Sequence, residues 1–138
     1  MSHKYKVIDQ TQPTFITITV IDWVDVFIRI EYFKILDASL NNCIQNKGLR
    51  VHAYVYMTSH IHLIITSEGE ELQDIIRDFK KFTSKRMIET IKEYPESRRE
   101  WLLKKFSFAA KRIKRGVNYK FWKDGYHPVL LDSFKKLE

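Results

Sequence analysis

The sequence has one cysteine, Cys43, in 138 residues. An internal disulfide is therefore excluded, and so is a zinc site built on several thiolates. Glycine (four) and proline (three) are scarce, which rules out a collagen-like or low-complexity chain. No apolar run approaches membrane-spanning length, and the N-terminal stretch MSHKYKVIDQ has no apolar signal core. These absences predict a soluble, cytoplasmic protein with no membrane partner. Core material, by contrast, is plentiful. Hydrophobic residues make up 44%, with nine Phe, seven Tyr and three Trp, which argues against disorder. The length predicts a single domain over residues 1–138, large enough to bury a core without staples.

The formal net charge is +7, and it is unevenly placed. Residues 1–76 hold 6 Lys/Arg and 9 Asp/Glu; residues 77–120 hold 15 and 5; residues 121–138 hold three of each. All the excess positive charge thus lies in one 44-residue stretch. A concentrated basic stretch is what neutralising a run of phosphates requires, so nucleic acid is the expected partner. The alternative is an ordinary solvated helical face.

Hydrophobic periodicity predicts the elements. Residues 15–21 (FITITVI) alternate, with Ile16, Ile18 and Val20 on one face, as a strand does. From residue 30 to about 47 the period becomes helical, with Phe33, Leu36, Leu40, Cys43 and Ile44 on one stripe and Gly48 as the C-terminal cap. Residues 51–57 and 60–66 alternate again, separated by Thr58-Ser59, and predict a tight antiparallel hairpin. A long helix over residues 71–93 follows. Its apolar stripe is Leu72, Ile75, Ile76, Phe79, Phe82, Met87 and Ile91; Arg77, Lys81 and Lys85 line the opposite side at i, i+4 and i+8, with Lys80 beside them. Residues 97–105 predict a short further helix, 111–120 a basic loop, and 127–131 a last strand. The order β-α-β-β-α predicts an α+β fold, a ferredoxin-like antiparallel sheet with helices packed on one face.

His60 and His62 stand two apart on a predicted strand, so both imidazoles point to one face. Such a pair is a natural half-site for a divalent cation. The alternative is a pair of hydrogen-bonded, partly buried sheet histidines. His52, on the partner strand, is a third histidine that this pairing brings into the neighbourhood. A metal next to a row of cations points to phosphodiester chemistry, in which the metal polarises a phosphoryl oxygen. The cations expected on phosphates are Arg77, Lys80, Lys81, Lys85 and Arg86 on the helix, then Lys111, Arg112, Lys114 and Arg115 beyond it. Tyr119, Phe121 and Trp122 are candidates for stacking on unpaired bases, with a core role as the alternative.

The run AYVYMTSHIHLIITSEG, followed by DIIRDFKKFTSKRMIETI, resembles the REP-associated tyrosine transposases, single-tyrosine insertion-sequence transposases of the HUH endonuclease class. His60-Ile61-His62 matches the histidine-hydrophobic-histidine motif of that class. The Phe-Lys-Lys-Phe-Thr-Ser run of residues 79–84, Tyr119, Phe121-Trp122 and His127-Pro128 also fit, so the resemblance covers roughly residues 14–131. Ser59 departs from the usual Asn before the first histidine. The resemblance implies an HUH endonuclease-like fold, a homodimer, and action on single-stranded or hairpin DNA in DNA transposition and recombination. It also implies Mg²⁺ or Mn²⁺ held by His60 and His62, and a tyrosine nucleophile that forms a 5′-phosphotyrosine link.

In the family that tyrosine lies on a helix after the His-Pro segment, in a Tyr-(Ile/Leu)-His-x-Asn-Pro-like motif. Nothing after Tyr126 matches it, so the chain reads as cut short, with its nucleophile expected beyond Glu138 and no catalytic tyrosine within. Tyr126 itself reads as a packing residue. Whether the chain cleaves DNA therefore stays open. A second reading is a non-catalytic nucleic-acid-binding module or regulator derived from a transposase. A third is an RNA-binding ferredoxin-like domain with Tyr54 and Tyr56 exposed on the open sheet face.

Overall fold

The computed structural model describes residues 9–113 and 116–131. Among these residues four strands and three α-helices follow one another as β1 (Thr14–Thr19), α1 (Ile30–Lys47), β2 (Leu49–Tyr56), β3 (His60–Ser67), α2 (Leu72–Glu93), α3 (Arg99–Ile113) and β4 (Val129–Leu130), with a 3-10 turn at Ile21–Trp23 after β1. The sheet order is β2-β3-β1-β4, and every neighbouring pair is antiparallel. That is the split β-α-β order of the ferredoxin-like layout, with α3 inserted before the last strand. No helix among the described residues is long and apolar enough to cross a membrane.

Alternation along the two central strands makes the core. Ile16 and Ile18 of β1 and Ile61, Leu63 and Ile65 of β3 are all buried against α1 and α2. The intervening residues, among them Thr17, His60 and His62, fall on the opposite face. α1 stops where expected, at Gly48, whose φ of +82° is left-handed. A Cβ there would also come within 2.4 Å of the Gly69 nitrogen, so a side chain is excluded on two grounds. The β2–β3 hairpin closes with the Met57 N–H donating to the His60 carbonyl at 2.8 Å. Val20 and Phe27 clamp this turn, their N–H groups donating to Ser59 and Thr58 carbonyls at 2.9 and 3.0 Å.

Several expectations need correction. The buried stripe of α1 runs through Tyr32, Ile35, Leu36, Ser39, Leu40 and Cys43; Ile44 is exposed, and Phe33 lies half-buried against the Tyr56 ring. In α2, Phe82 is exposed and its neighbour Thr83 is buried instead. Thr83 can be buried because its hydroxyl donates to the Phe79 carbonyl and accepts the Trp122 indole N–H at 2.9 Å. The helix expected over 97–105 runs on to Ile113, so Lys111 and Arg112 sit in its last turn, where cations suit the helix dipole. Lys114 and Arg115 lie outside the described residues. Phe121 and Trp122 belong to the core, 1% and 4% exposed, and are not available to stack on bases. The last strand is only Val129–Leu130. Before it, residues 121–126 already run beside β1, with Lys123 and Thr17 N–H groups donating to Thr19 and Tyr126 carbonyls.

Candidate functional site

The helix-free face of the sheet carries the histidine pair near its centre. β3 is an interior strand, and its alternation puts Ile61 in the core and both imidazoles outside it. The rings stand 4.8 Å apart, edge to face. Each is held by a hydroxyl at Nδ1. The Thr17 Oγ1 lies 2.9 Å from His62, directly across the β1–β3 ladder, and the Ser59 Oγ lies 3.1 Å from His60. Phe15 stacks on His62 at 5.2 Å, and Trp23 meets His60 edge-on at 5.5 Å.

This arrangement fixes the chemistry open to the pair. Partial burial, with the neighbouring imidazole adding to it, pushes His62 below the ordinary histidine value. The neutral imidazole so favoured is the form that binds metals. If each Nδ1 donates its proton to its hydroxyl, the Nε2 lone pairs remain for a cation, as in most histidine metal sites. No hydrogen bond to either Nε2 occurs among the described residues. The donor set therefore fits a divalent cation as two ligands. Among the described residues no third His, Cys, Asp or Glu gathers beside them. His52 does not supply one. The bulge between Val51 and Ala53 turns it to Thr66, 2.8 Å from its Nε2 and four residues further along β3 than His62, about 13 Å away.

The segment leading to Trp23 is strained. Asp22 and Trp23 have φ of 54° and 56°, a left-handed conformation uncommon for such side chains. It is held by the Asp22–Arg112 ion pair at 2.9 Å and by the Trp23 N–H on the Val20 carbonyl. Further on, Thr58 donates to Asp25, and Arg98 reaches the Asp25 and Val26 carbonyls. Arg98 in turn belongs to a cluster around Glu96, whose carboxylate is fully buried between Arg29, Arg98 and the Tyr32 hydroxyl. The loop that shapes one side of the histidine pair is thus anchored by Arg98, just before α3, and by Arg112 in its last turn.

The expected phosphate contacts are scattered. Lys81 and Lys85 are exposed on α2. Arg77 pairs with Asp74 and Asp78, and Arg86 with Glu89. Lys80 turns inward; its ammonium donates to the Lys123 and Gly125 carbonyls at 2.9 and 3.1 Å. Burial pushes its pKa down to about 8, with Lys120 adding to the effect and Asp124 opposing it. Tyr126 packs against the core, and burial raises its phenol above the usual value, which disfavours a nucleophilic phenolate. Tyr54 and Tyr56 lie on the side of β2 that faces α1, where the Tyr56 hydroxyl donates to Asp37 at 2.7 Å. Tyr54 and Tyr56 are therefore not on the open face, where the RNA-binding reading would need them.

Sequence reasoning missed Trp23, Thr17 and the outer face of α3. Thr17 becomes visible only through strand register, and Trp23 only through the turn that follows β1.

Comparison with known proteins bears on this geometry. Residues 25–111 match the family described as IS200-like transposases. No protein of curated function matches the chain. A solved structure of a REP-associated tyrosine transposase bound to a REP hairpin superposes with a TM-score of 0.61 at 13% identity, covering 99% of this chain and 65% of that one. The chain thus spans slightly less than two thirds of that protein's length. A protein assigned as a transposase, from Deinococcus radiodurans R1, superposes with a TM-score of 0.54 at 14% identity, covering 99% of this chain and 88% of that one. The fold shared with the first is an HUH fold.

Proposed function

Because this chain belongs to the IS200-like transposase family, we propose that it is the DNA-handling domain of an HUH-class strand-transfer system, acting on hairpin or single-stranded DNA. The observation that carries this is the geometry of His60 and His62. Both imidazoles face the open side of the central strand, each is oriented through Nδ1 by a hydroxyl, and His62 is biased to its neutral form. When bound there, Mg²⁺ or Mn²⁺ would polarise a phosphoryl oxygen and offset charge on the leaving group. The protein's own contribution is orientation. Thr17 and Ser59 fix the two rings, while Phe15 and Trp23 shield them on either side. Lys81, Lys85 and Arg86 on α2, with Lys111 and Arg112 on α3, supply cations for the backbone of the strand. The solved relative that holds a REP hairpin supports DNA as the partner.

Two imidazoles alone make a weak site, and a DNA phosphate would complete it. The test therefore measures affinity for a labelled hairpin with a single-stranded flank, in Mn²⁺ and in EDTA. Mn²⁺ is expected to tighten binding severalfold for the natural protein and to have no effect on a His60→Ala/His62→Ala variant. Equal Mn²⁺ dependence in both proteins would sink the metal reading and leave a non-catalytic DNA-binding module. A covalent protein–DNA product from this chain would show that a nucleophile lies within it.

A further inference from the structure

One face of α3 is not accounted for by the core. Leu102, Phe106, Ala109 and Ala110 point inward and are buried. On the other side Trp101 is 51% exposed and Phe108 62%. Large rings left in water in a row mark an interaction surface. Each ring also carries a cation. The Lys105 ammonium lies 5.6 Å from the Trp101 ring centre, and the Arg112 guanidinium 6.0 Å from that of Phe108. The four residues follow one another at helical spacing along a single stripe of roughly 16 Å. Ring and cation alternate along it. Residues 99–113 hold five Lys/Arg and one Asp/Glu.

The stripe leads to the histidine pair. Arg112, its last member, is the residue that pairs with Asp22, and Trp23 follows directly, edge-on to His60. Rings alternating with cations complement one kind of polymer, an unpaired nucleic acid strand, which offers flat base faces and phosphate charges in repeating order. A duplex hides its base faces in the stack and would use only the cations. The structure assigns the Trp101–Lys105–Phe108–Arg112 stripe as the track along which the single strand flanking a DNA hairpin reaches His60. This rests on DNA being the polymer that the histidine pair acts on.

The test compares a hairpin carrying an oligothymidylate tail with the same hairpin blunt-ended, by fluorescence anisotropy. Trp101→Ala and Phe108→Ala should each weaken binding of the tailed hairpin by about tenfold. Neither should change affinity for the blunt hairpin, and the salt slope should hold, because no phosphate contact is removed. Trp101→Phe should recover most of the loss. Both positions are more than half exposed, so the variants should unfold at the natural temperature. Unchanged affinity for the tailed hairpin overturns the track, as does an equal loss on the blunt one. So does a natural protein that dimerises through this face, if Phe108→Ala breaks the dimer and leaves tail binding intact. Failure of the natural protein to bind any of these DNAs would remove the DNA reading itself.

Discussion

Two polar clusters sit in apolar surroundings in this protein, and they are finished differently. Around Glu96 the carboxylate accepts six hydrogen bonds, from Arg29, Arg98 and Tyr32. Its side chain is wholly buried, and these partners hold its acid well below the ordinary carboxylate range. Around His60 and His62, among the described residues, only the Nδ1 side is matched, to Ser59 and Thr17. The first cluster is complete and joins three segments, the start of α1, the 25–26 loop and the approach to α3. The second is half complete and faces outward. A buried charge is tolerated only when every lone pair has a donor. An oriented imidazole with its second nitrogen unengaged has its remaining capacity turned to something outside the chain. The contrast separates a group that holds the fold from a group that the fold holds in readiness.

The largest effect should come from disturbing the complete cluster. Glu96→Gln leaves two guanidinium groups beside a neutral amide, and breaking a buried pair on one side costs about 3–5 kcal/mol. Urea unfolding of the variant should show a loss of that order. The same group sets an acid limit. Its folded pKa lies below the unfolded value of 4.5, so its stabilisation is whole above pH 4.5 and is lost as pH falls below it. The variant should lack this part of the acid response. A loss under about 1 kcal/mol would reduce the cluster to an ordinary surface network.

How far these features are legible in the sequence depends on what each requires. The period of two through Ile61 and the hairpin at Thr58-Ser59 are enough to place both histidines on one face. Gly48 likewise marks the end of α1. The hydroxyls that orient the rings are a different matter. Thr17 lies 45 residues from His62, and only the β1–β3 register brings them together. Glu96 is equally opaque, because Arg29 and Tyr32 come from more than sixty residues away. Thr83 shows the limit of hydrophobic patterning. A threonine reads as surface next to Phe82, yet two internal hydrogen bonds let it take the core position. α3 reads as too short because the cations after Ala110 resemble a loop, although in a last helical turn they are stabilised by the dipole.

Lys80 lies between the two extremes and offers a smaller, sharper test. Two carbonyls accept hydrogen bonds from its ammonium, but burial still pushes its pKa down to about 8. Below pH 8 both folded and unfolded chains carry the proton, and the fold bears the full cost of burying the charge. Between pH 8 and 10.5 the folded state releases it while the unfolded chain keeps it, so stability from this group rises with pH. Against a Lys80→Met variant, the natural protein should gain roughly 1–3 kcal/mol over that window. A difference that stays flat from pH 8 to 10.5 would show the ammonium to be well solvated, and would move Lys80 back among the cations free to meet phosphate.

The smallest effect on stability should come from the histidines themselves, and it decides whether the contrast holds. His62→Ala removes one hydrogen bond to Thr17 and a stacking contact with Phe15. Thr17 and His62 are only partly buried, so water can replace what is lost. A net hydrogen bond of this kind contributes about 0.5–1.5 kcal/mol. Urea unfolding should therefore find His62→Ala within that range and His60→Ala no costlier, while both abolish the Mn²⁺ effect on DNA affinity. If His62→Ala costs as much as Glu96→Gln, the pair is a second structural cluster. Its open nitrogens would then say nothing about a ligand. If the cost is small and the Mn²⁺ effect disappears with it, stability and metal response have been assigned to different residues, as the two patterns of hydrogen bonding require.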